Sequence, residues 1–306
     1  MPLSRRHFLA ASALLTPLRQ LSAATPNIPF PTAPRDRLAV ASWSFRDHLD
    51  LPENRAGKSK TNLIALTDFP TMIAKRYQVR NVELLGQHMA STDAGYLREL
   101  LTAVEHAGSH VIDIPAGTEI SLYDPDPQRR AAAVQDGKKW IDVAIALHCP
   151  SVRLNIAGAK GVKPDVALTA EGLAAISRYG ESKNVMVNLE NDDPIIEDAF
   201  FITKVIDRVN SPWLRALPDF CNSMLKGNEK FNYDAVTAMF QRAYNIAHVK
   251  DSEVDNGKVF RVDLARSFTI AKASGYKGYY SIEFEGEGDA YAGVQKLIDA
   301  ALRFLA

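Results

Sequence analysis

This chain contains little cysteine, and its positive and negative charges balance. The 306 residues include only Cys149 and Cys221, each at the end of a different predicted strand. We therefore expect packing roles for both thiols and no disulfide framework. The 36 basic and 36 acidic side chains give a formal net charge of zero. A chain without net charge does not attract nucleic acid or anionic lipid by long-range electrostatics, so neither is expected as a partner.

Motifs that would indicate other functions are also missing. The first predicted strand is followed by Ser42-Trp43-Ser44-Phe45, without the G-x-G-x-x-G turn of a dinucleotide-binding fold. The G-x-S-x-G motif of serine hydrolases does not occur. No segment approaches the roughly 20 uninterrupted apolar residues of a membrane-spanning helix, so no stable membrane anchor is expected.

The N-terminus differs in pattern from the rest of the chain. Ser4-Arg5-Arg6-His7-Phe8-Leu9 is a twin-arginine pattern, and an apolar, Ala-rich run from Ala10 to Leu15 follows it. Small residues at Ser22 and Ala24 suit cleavage after Ala24. This order predicts a signal peptide over residues 1–24 that engages the Tat export machinery. The mature protein, residues 25–306, is then expected in the periplasm or elsewhere outside the cytoplasm.

Short apolar, β-branched runs recur through the remaining chain. They are Arg37 to Ala41, Val82 to Leu85, His110 to Ile114, Val152 to Ile156, Val185 to Leu189, Leu214 to Leu217, Ile246 to Val249 and Tyr279 to Phe284. Segments with helical period, such as Ala131 to Ala146, separate them. Runs that are apolar on both faces indicate parallel strands covered by helices. Eight such units over roughly 250 residues predict an α/β fold, a single (β/α)8 TIM barrel over residues 25–306, rather than an open doubly wound sheet.

In a TIM barrel the functional residues lie where the strands end. Predicted strands five to eight carry, at or near their ends, Glu190, Asp219, His248 and Glu283. Each interval between them is about one βα unit long, so the four side chains can converge on one point. Three carboxylates and one imidazole predict a metal site. These donors suit Mn²⁺, Mg²⁺ or Co²⁺ at least as well as Zn²⁺.

Five further residues near strand ends are candidates for substrate binding. Trp43 and His88 follow strands one and two, where an aromatic face and a hydrogen-bond donor often contact a sugar ring, although core packing is an equal alternative. Arg153 on strand four could pair with a ligand carboxylate or hold substrate. Asn222, after strand six, can donate to a substrate hydroxyl. Lys250 shares the strand face of the predicted histidine ligand and could reach a substrate oxygen.

The fragments HVKD and SIEFEG, together with the order Glu, Asp, His, Glu on strands five to eight, resemble the xylose isomerase-like TIM barrel family of sugar isomerases and epimerases. The resemblance covers most of residues 25–306. It implies that Glu190, Asp219, His248 and Glu283 bind a divalent metal. It further implies that Glu190 and Glu283 are the catalytic carboxylates, which move a proton of a ketose or keto-sugar through an enediolate. Many relatives carry a histidine where this chain has Asn222.

The resemblance therefore implies a metal-dependent sugar isomerase or epimerase, and two alternatives stay open. One is a lyase that eliminates from a 3-keto-glycoside or dehydrates a keto-inositol on the same site. The predicted export fits such glycoside substrates. Acidic residues after strand eight would repel phosphate, which also favours uncharged glycosides; they are Glu285, Glu287 and Asp289. The other is a non-catalytic carbohydrate-binding protein. The DNA-repair endonuclease branch of the superfamily needs a His-rich, multi-metal site and a basic face, which this neutral chain lacks. Either monomer or oligomer is compatible with the sequence.

Overall fold

The structure of the chain is a computed structural model that describes residues 25–56 and 62–306. The predicted twin-arginine segment, residues 1–24, lies outside the described residues, so the signal peptide stays a prediction. The strands are β1 (Leu38–Ala41), β2 (Asn81–Glu83), β3 (His110–Ala116), β4 (Ser151–Leu154), β5 (Met186–Glu190), β6 (Leu214–Leu217), β7 (Ile246–Val249), β8 (Ser252–Asp255), β9 (Lys258–Arg261) and β10 (Tyr279–Ile282).

Helices alternate with these strands and cover the outside of the sheet. They are α1 (Pro52–Ala56), α2 (Phe69–Tyr77), α3 (Ala94–His106), α4 (Pro127–Ala146), α5 (Val166–Lys183), α6 (Ala199–Val209), α7 (Glu229–Phe240), α8 (Leu264–Ala273) and α9 (Ala290–Leu305). Aspartate side chains accept first-turn N–H groups at the starts of α4, α5, α6, α8 and α9. Each such cap stabilises its helix by about 1 kcal/mol, which explains why these helices begin where they do.

Eight parallel strands form the barrel, paired in the order β6-β5-β4-β3-β2-β1-β10-β7. The remaining seam, between β6 and β7, is joined by the His248 N–H, which donates to the Pro218 carbonyl at 2.9 Å. Asp219 and His248 are bridge partners in this seam. The predicted α/β fold, a single TIM barrel, is thereby confirmed. Closure of the barrel brings two of the predicted metal ligands side by side.

The barrel strands are buried on both faces, as their continuous apolar runs predicted. Cys149 and Cys221 are buried free thiols, which agrees with the packing role expected for them. Within residues 25–56 and 62–306, no helix combines the length and hydropathy needed to cross a membrane.

The sequence interpretation missed an antiparallel hairpin formed by β8 and β9, directly after the seventh barrel strand. Asp255 pairs with Lys258, so the loop contains only Asn256 and Gly257. Both loop residues have positive φ, 49° and 75°, as a type I′ turn requires. The sequence contained a signal for this hairpin, because Asn256-Gly257 lies between two short segments that each contain a valine. The hairpin lies at the end of the barrel where the strands terminate, and it contributes Glu253 to the cavity described below.

Candidate metal and substrate site

The four predicted metal ligands converge at the C-terminal end of the barrel. Glu190 is the last residue of β5, Asp219 follows β6, His248 lies on β7, and Glu283 follows β10. One ligand atom from each lies within 4.8 Å of the others, and all four side chains are buried. His248 Nδ1 lies 2.9 Å from Glu190 Oε1, 3.3 Å from Glu283 Oε2 and 4.0 Å from Asp219 Oδ2.

The chemistry of these donors fits a divalent cation. Asp219 Oδ1 accepts the backbone N–H groups of Cys221 and Asn222, each at 2.7 Å, whereas Asp219 Oδ2 is buried without a hydrogen-bond partner. Burial raises the pKa of Asp219 to about 7, an effect that Lys250 only partly opposes. A buried carboxylate oxygen without a partner is costly. A cation that accepts oxygen and imidazole ligands would remove that cost.

A buried arginine supports the carboxylate of Glu190. Arg153 Nη2 lies 2.5 Å from Glu190 Oε2 and 2.6 Å from Asp192 Oδ2, and Nη1 donates to Asn155 Oδ1 at 2.6 Å. We call these four residues, Arg153, Asn155, Glu190 and Asp192, the arginine wall. Sequence reasoning placed Arg153 beside the site without identifying the pairing with Asp192.

A buried lysine supports the other carboxylate. Lys250 Nζ lies 3.1 Å from Glu283 Oε2 and 2.9 Å from Glu253 Oε2, and it also donates to Glu285. We call Lys250, Glu253, Glu283 and Glu285 the lysine wall. Burial alone would lower the pKa of Lys250, but the neighbouring carboxylates, Asp219 foremost, raise it well above its usual range. The ammonium group is therefore charged at every pH at which the protein would be assayed.

Asn222 joins the two walls. Its Nδ2 donates to Glu190 Oε1 at 3.2 Å, and its Oδ1 accepts from Lys250 Nζ at 2.8 Å. Asn222 also lines the cavity, where a substrate hydroxyl could reach its side chain. The structure thus places Arg153, Asn222 and Lys250 around the predicted ligands, and their roles in substrate binding stay predictions.

The two aromatic candidates from strands one and two occupy different positions. Trp43 lines the cavity and donates from Nε1 to Glu285. His88 lies outside the cavity lining and stacks on Trp43, with ring centroids 6.0 Å apart and an interplanar angle of 7°. Its Nδ1 is 2.9 Å from Ser42 Oγ, and burial lowers its pKa to about 4. Direct contact of His88 with substrate therefore has no support from this geometry and stays a prediction.

Glu83 is a residue whose role sequence reasoning did not identify. This side chain on β2 is fully buried, and both of its oxygens lie 3.0 Å from His248 Nε2. Ser281 Oγ donates to Glu83 Oε2 at 2.5 Å. A carboxylate on one imidazole nitrogen orients the other nitrogen toward a metal and raises its basicity. The sequence did contain a signal for this role, because a glutamate within an apolar strand needs a buried polar partner.

A cavity of about 220 Å³ lies above the four predicted ligands. Residues from both walls surround it, together with a few apolar groups; the lining comprises Trp43, Leu85, Gln87, Pro115, Gly117, Arg153, Asn155, Glu190, Asp192, Asn222, Leu225, His248, Lys250, Glu253, Glu283 and Glu285. The volume falls below the range of about 300–1,000 Å³ typical of pockets for drug-sized ligands, so the cavity suits a small polar molecule.

Comparisons with known proteins agree with this architecture. The family pattern described as xylose isomerase-like TIM barrel matches residues 72–306. A search of curated proteins found no match. The D-allulose 3-epimerase from Methylomonas sp. in complex with D-allulose is a similar solved structure, with 15% sequence identity and a TM-score of 0.66 over 89% of this chain and 98% of that chain.

Two further solved structures have the same fold. A xylose isomerase-like TIM barrel protein from Mycobacterium smegmatis in complex with magnesium is 14% identical, with a TM-score of 0.65 over 88% of this chain and 96% of that one. The 3-keto-D-glucoside 4-epimerase from E. coli is 14% identical, with a TM-score of 0.61 over 87% of this chain and 98% of that one. At these identities the likeness establishes the fold alone.

Proposed function

Since this chain belongs to the xylose isomerase-like TIM barrel family, we propose that it is a divalent-metal-dependent isomerase or epimerase that acts on a ketose or keto-sugar through an enediolate. One observation carries the proposal. Two buried carboxylates, Glu190 and Glu283, approach the same imidazole nitrogen, and each has its own buried cation beside it. This arrangement places two carboxyl groups beside one cavity that suits a small polar molecule.

The metal would be held by Glu190, Asp219, His248 and Glu283. A buried cluster of this composition is typical of the divalent-metal site of the family, and the donors suit Mn²⁺, Mg²⁺, Co²⁺ or Zn²⁺. A divalent cation held there would supply positive charge beside the substrate oxygens and lower the free energy of an enediolate. Magnesium is bound by the Mycobacterium smegmatis relative, which supports a metal of this class.

The two carboxylates would perform the proton transfers. One removes the proton from the carbon next to the substrate carbonyl, and the other returns a proton from the opposite face, which inverts that centre. Return to the neighbouring carbon would instead isomerise the sugar. Burial alone raises the pKa of Glu283, but His248 and Lys250 outweigh it and hold the pKa well below its usual range. Glu283 is therefore ionised near neutral pH, the state that a proton acceptor must have before it removes a proton.

Elimination is the second candidate. Removal of the same carbon-bound proton can be followed by loss of a leaving group, as in lysis of a 3-keto-glycoside or dehydration of a keto-inositol. Similarity to a 3-keto-D-glucoside 4-epimerase favours keto-sugars among the possible substrates. A location outside the cytoplasm, which the twin-arginine pattern predicts, fits glycoside substrates and remains part of the proposal.

Metal analysis followed by incubation with ketoses and 3-keto-glycosides in D₂O tests the proposal. We expect deuterium at a carbon-bound position of the substrate and epimerised, isomerised or eliminated product, both dependent on added metal. Protein stripped of metal with a chelator is the control. Ligands that bind without any exchange would contradict the enzymatic proposal and favour the carbohydrate-binding alternative.

A further inference from the structure

The cation of the lysine wall has no donor left for an anionic substrate. Lys250 Nζ carries three N–H groups. Four acceptors already surround it, namely Asn222 Oδ1 at 2.8 Å, Glu253 Oε2 at 2.9 Å, Glu283 Oε2 at 3.1 Å and Glu285. The side chain is only 2% exposed. A phosphate group could therefore approach Lys250 only by displacing a carboxylate.

The other cations near the cavity are also paired. Arg153 uses Nη2 on Glu190 and Asp192 and Nη1 on Asn155. Arg46, which lies outside the cavity lining and over the Trp43 ring, has Nη1 4.0 Å from Glu285 Oε1. Among the cavity-lining residues that the structure describes, every lysine and arginine therefore has a carboxylate partner.

Carboxyl groups outnumber the lysine and arginine side chains in the cavity lining. The β8–β9 hairpin brings Glu253 to the wall, and the chain after β10 brings Glu285. Burial, together with Glu285, raises the pKa of Glu253 to about 8, although Lys250 opposes the shift. Glu253 and Glu285 thus both lie against the single buried ammonium group of Lys250. Asp192 adds a further carboxylate to the cavity lining.

We propose that the cavity accepts an uncharged keto-polyol and rejects its phosphate ester, and that Glu285 and Glu253 determine this specificity. The inference rests on the proposed function and names its substrate class. A phosphate buried against these carboxylates, away from the proposed metal, meets no free lysine or arginine, so its charge has no side-chain partner. Hydroxyl groups carry no such cost and can both donate to the carboxylates and accept from amide groups. The protein would thus distinguish the ketose from its ester both by repelling the phosphate and by hydrogen bonding to the hydroxyl groups.

Calorimetric titration of Mn²⁺-loaded protein tests the inference with matched pairs: D-fructose against D-fructose 6-phosphate, and D-allulose against D-allulose 6-phosphate. We expect the wild-type protein to bind each ester at least about tenfold more weakly than the free ketose. Glu285→Gln removes one of the carboxylates that surround Lys250 and should lower the ester-to-ketose ratio of Kd values about tenfold. Glu253→Gln should lower the ratio in the same direction by a smaller factor, because its raised pKa leaves this carboxyl largely protonated near neutral pH.

Two variants serve as controls. Glu287→Gln removes a carboxylate from the same segment, but that side chain is 66% exposed and outside the cavity, so the ratio should not change. Glu285→Asp keeps the charge and should keep the discrimination, which separates charge from packing. Thermal unfolding checks that each variant is folded. Esters that bind wild type as tightly as ketoses would overturn the inference, as would an equal effect of Glu287→Gln and Glu285→Gln.

Deuterium exchange separates this inference from the proposed function. Exchange with free ketose and ester at similar efficiency would leave the proposed function standing and overturn the specificity. Discrimination in binding without exchange in any sugar would support the specificity and contradict the proposed enzymatic activity.

Discussion

The two walls of the cavity share one pairing, a buried cation beside a buried glutamate, but differ in how the chain builds them. Each combines one buried cation with one of the proposed catalytic carboxylates. Arg153 and Glu190 belong to neighbouring strands, β4 and β5, whose register is set by backbone hydrogen bonds. Lys250 follows β7, and its partners Glu253 and Glu285 come from the hairpin and from the chain after β10.

Because of this difference, the arginine wall holds its glutamate more rigidly than the lysine wall holds its own. A guanidinium is planar and binds oxygen pairs in a fixed geometry, whereas an ammonium on a flexible stem accepts partners from several directions. Residues on barrel strands are held more firmly than residues on the segments that follow them. We therefore interpret the arginine wall as the more rigid support of its glutamate, and Glu253 and Glu285 of the lysine wall as the residues that select substrate.

The largest expected effect compares the proposed catalytic carboxylates of the two walls. Glu190→Gln and Glu283→Gln should each reduce turnover about 10³-fold, because an amide can still bind a metal through oxygen but cannot accept a carbon-bound proton. If the carboxylates serve opposite faces of the substrate, one variant should still exchange substrate deuterium while failing to epimerise. NMR of products formed in D₂O measures both reactions.

Metal content must be measured beside these rates, since loss of metal would produce the same decline. Near-normal epimerisation by both glutamine variants with metal bound would rule out the two-carboxylate mechanism. Another base, such as a metal hydroxide, would then have to remove the proton.

The next effect concerns Asp219, which belongs to neither wall. Asp219→Asn removes a charged ligand without a proton-transfer role, so it should weaken metal binding about 100-fold. Turnover should recover at high metal concentration, in contrast to both glutamine variants. Metal titration by calorimetry gives the affinity. An unchanged metal affinity would exclude Asp219 as a ligand.

A smaller effect tests the support behind the lysine wall, where His88 packs against Trp43. Burial lowers the folded-state pKa of His88 to about 4 from its ordinary value of 6.5. The neutral imidazole therefore contributes stability that is complete above pH 6.5 and is lost as the pH falls toward 4. Between pH 7 and pH 5 the loss is about 2 kcal/mol. Urea unfolding at both pH values should show a correspondingly smaller loss in His88→Gln.

The exposed His106 provides the comparison for this measurement. His106→Gln makes the same substitution at an exposed position and is measured beside His88→Gln. Equal pH dependence in wild type and His88→Gln would show that His88 does not titrate as its burial requires.

The smallest expected effect concerns His248, which both catalytic carboxylates approach. Glu83→Gln keeps the size of the side chain but removes the charge beside His248 Nε2, so metal affinity should fall about tenfold. Calorimetric metal titration measures the change. Ser281→Ala, which removes the other hydrogen bond to Glu83, is the control and should have a smaller effect. An unchanged metal affinity in Glu83→Gln would indicate that Glu83 serves only packing.

Much of the fold and the centre of the site could be predicted from order along the chain. Parallel strands buried on both faces require uninterrupted apolar runs, and eight such runs specify a barrel. The end of each apolar run also shows where its strand ends, so Glu190, Asp219, His248 and Glu283 could be chosen as candidate metal ligands. The hairpin carried a readable Asn256-Gly257 turn signal, so it was predictable in principle.

Only the tertiary structure decided which side chains meet. Glu83 and His248 are 165 positions apart, and Lys250 and Asn222 are 28 apart, yet each pair is in direct contact. Trp43 faces the cavity while His88, from the next strand, lies behind it. Spacing along a chain determines where a strand ends because backbone geometry is regular. Contacts across the barrel depend on closure, side-chain rotamers and the burial of charge, which no local pattern contains.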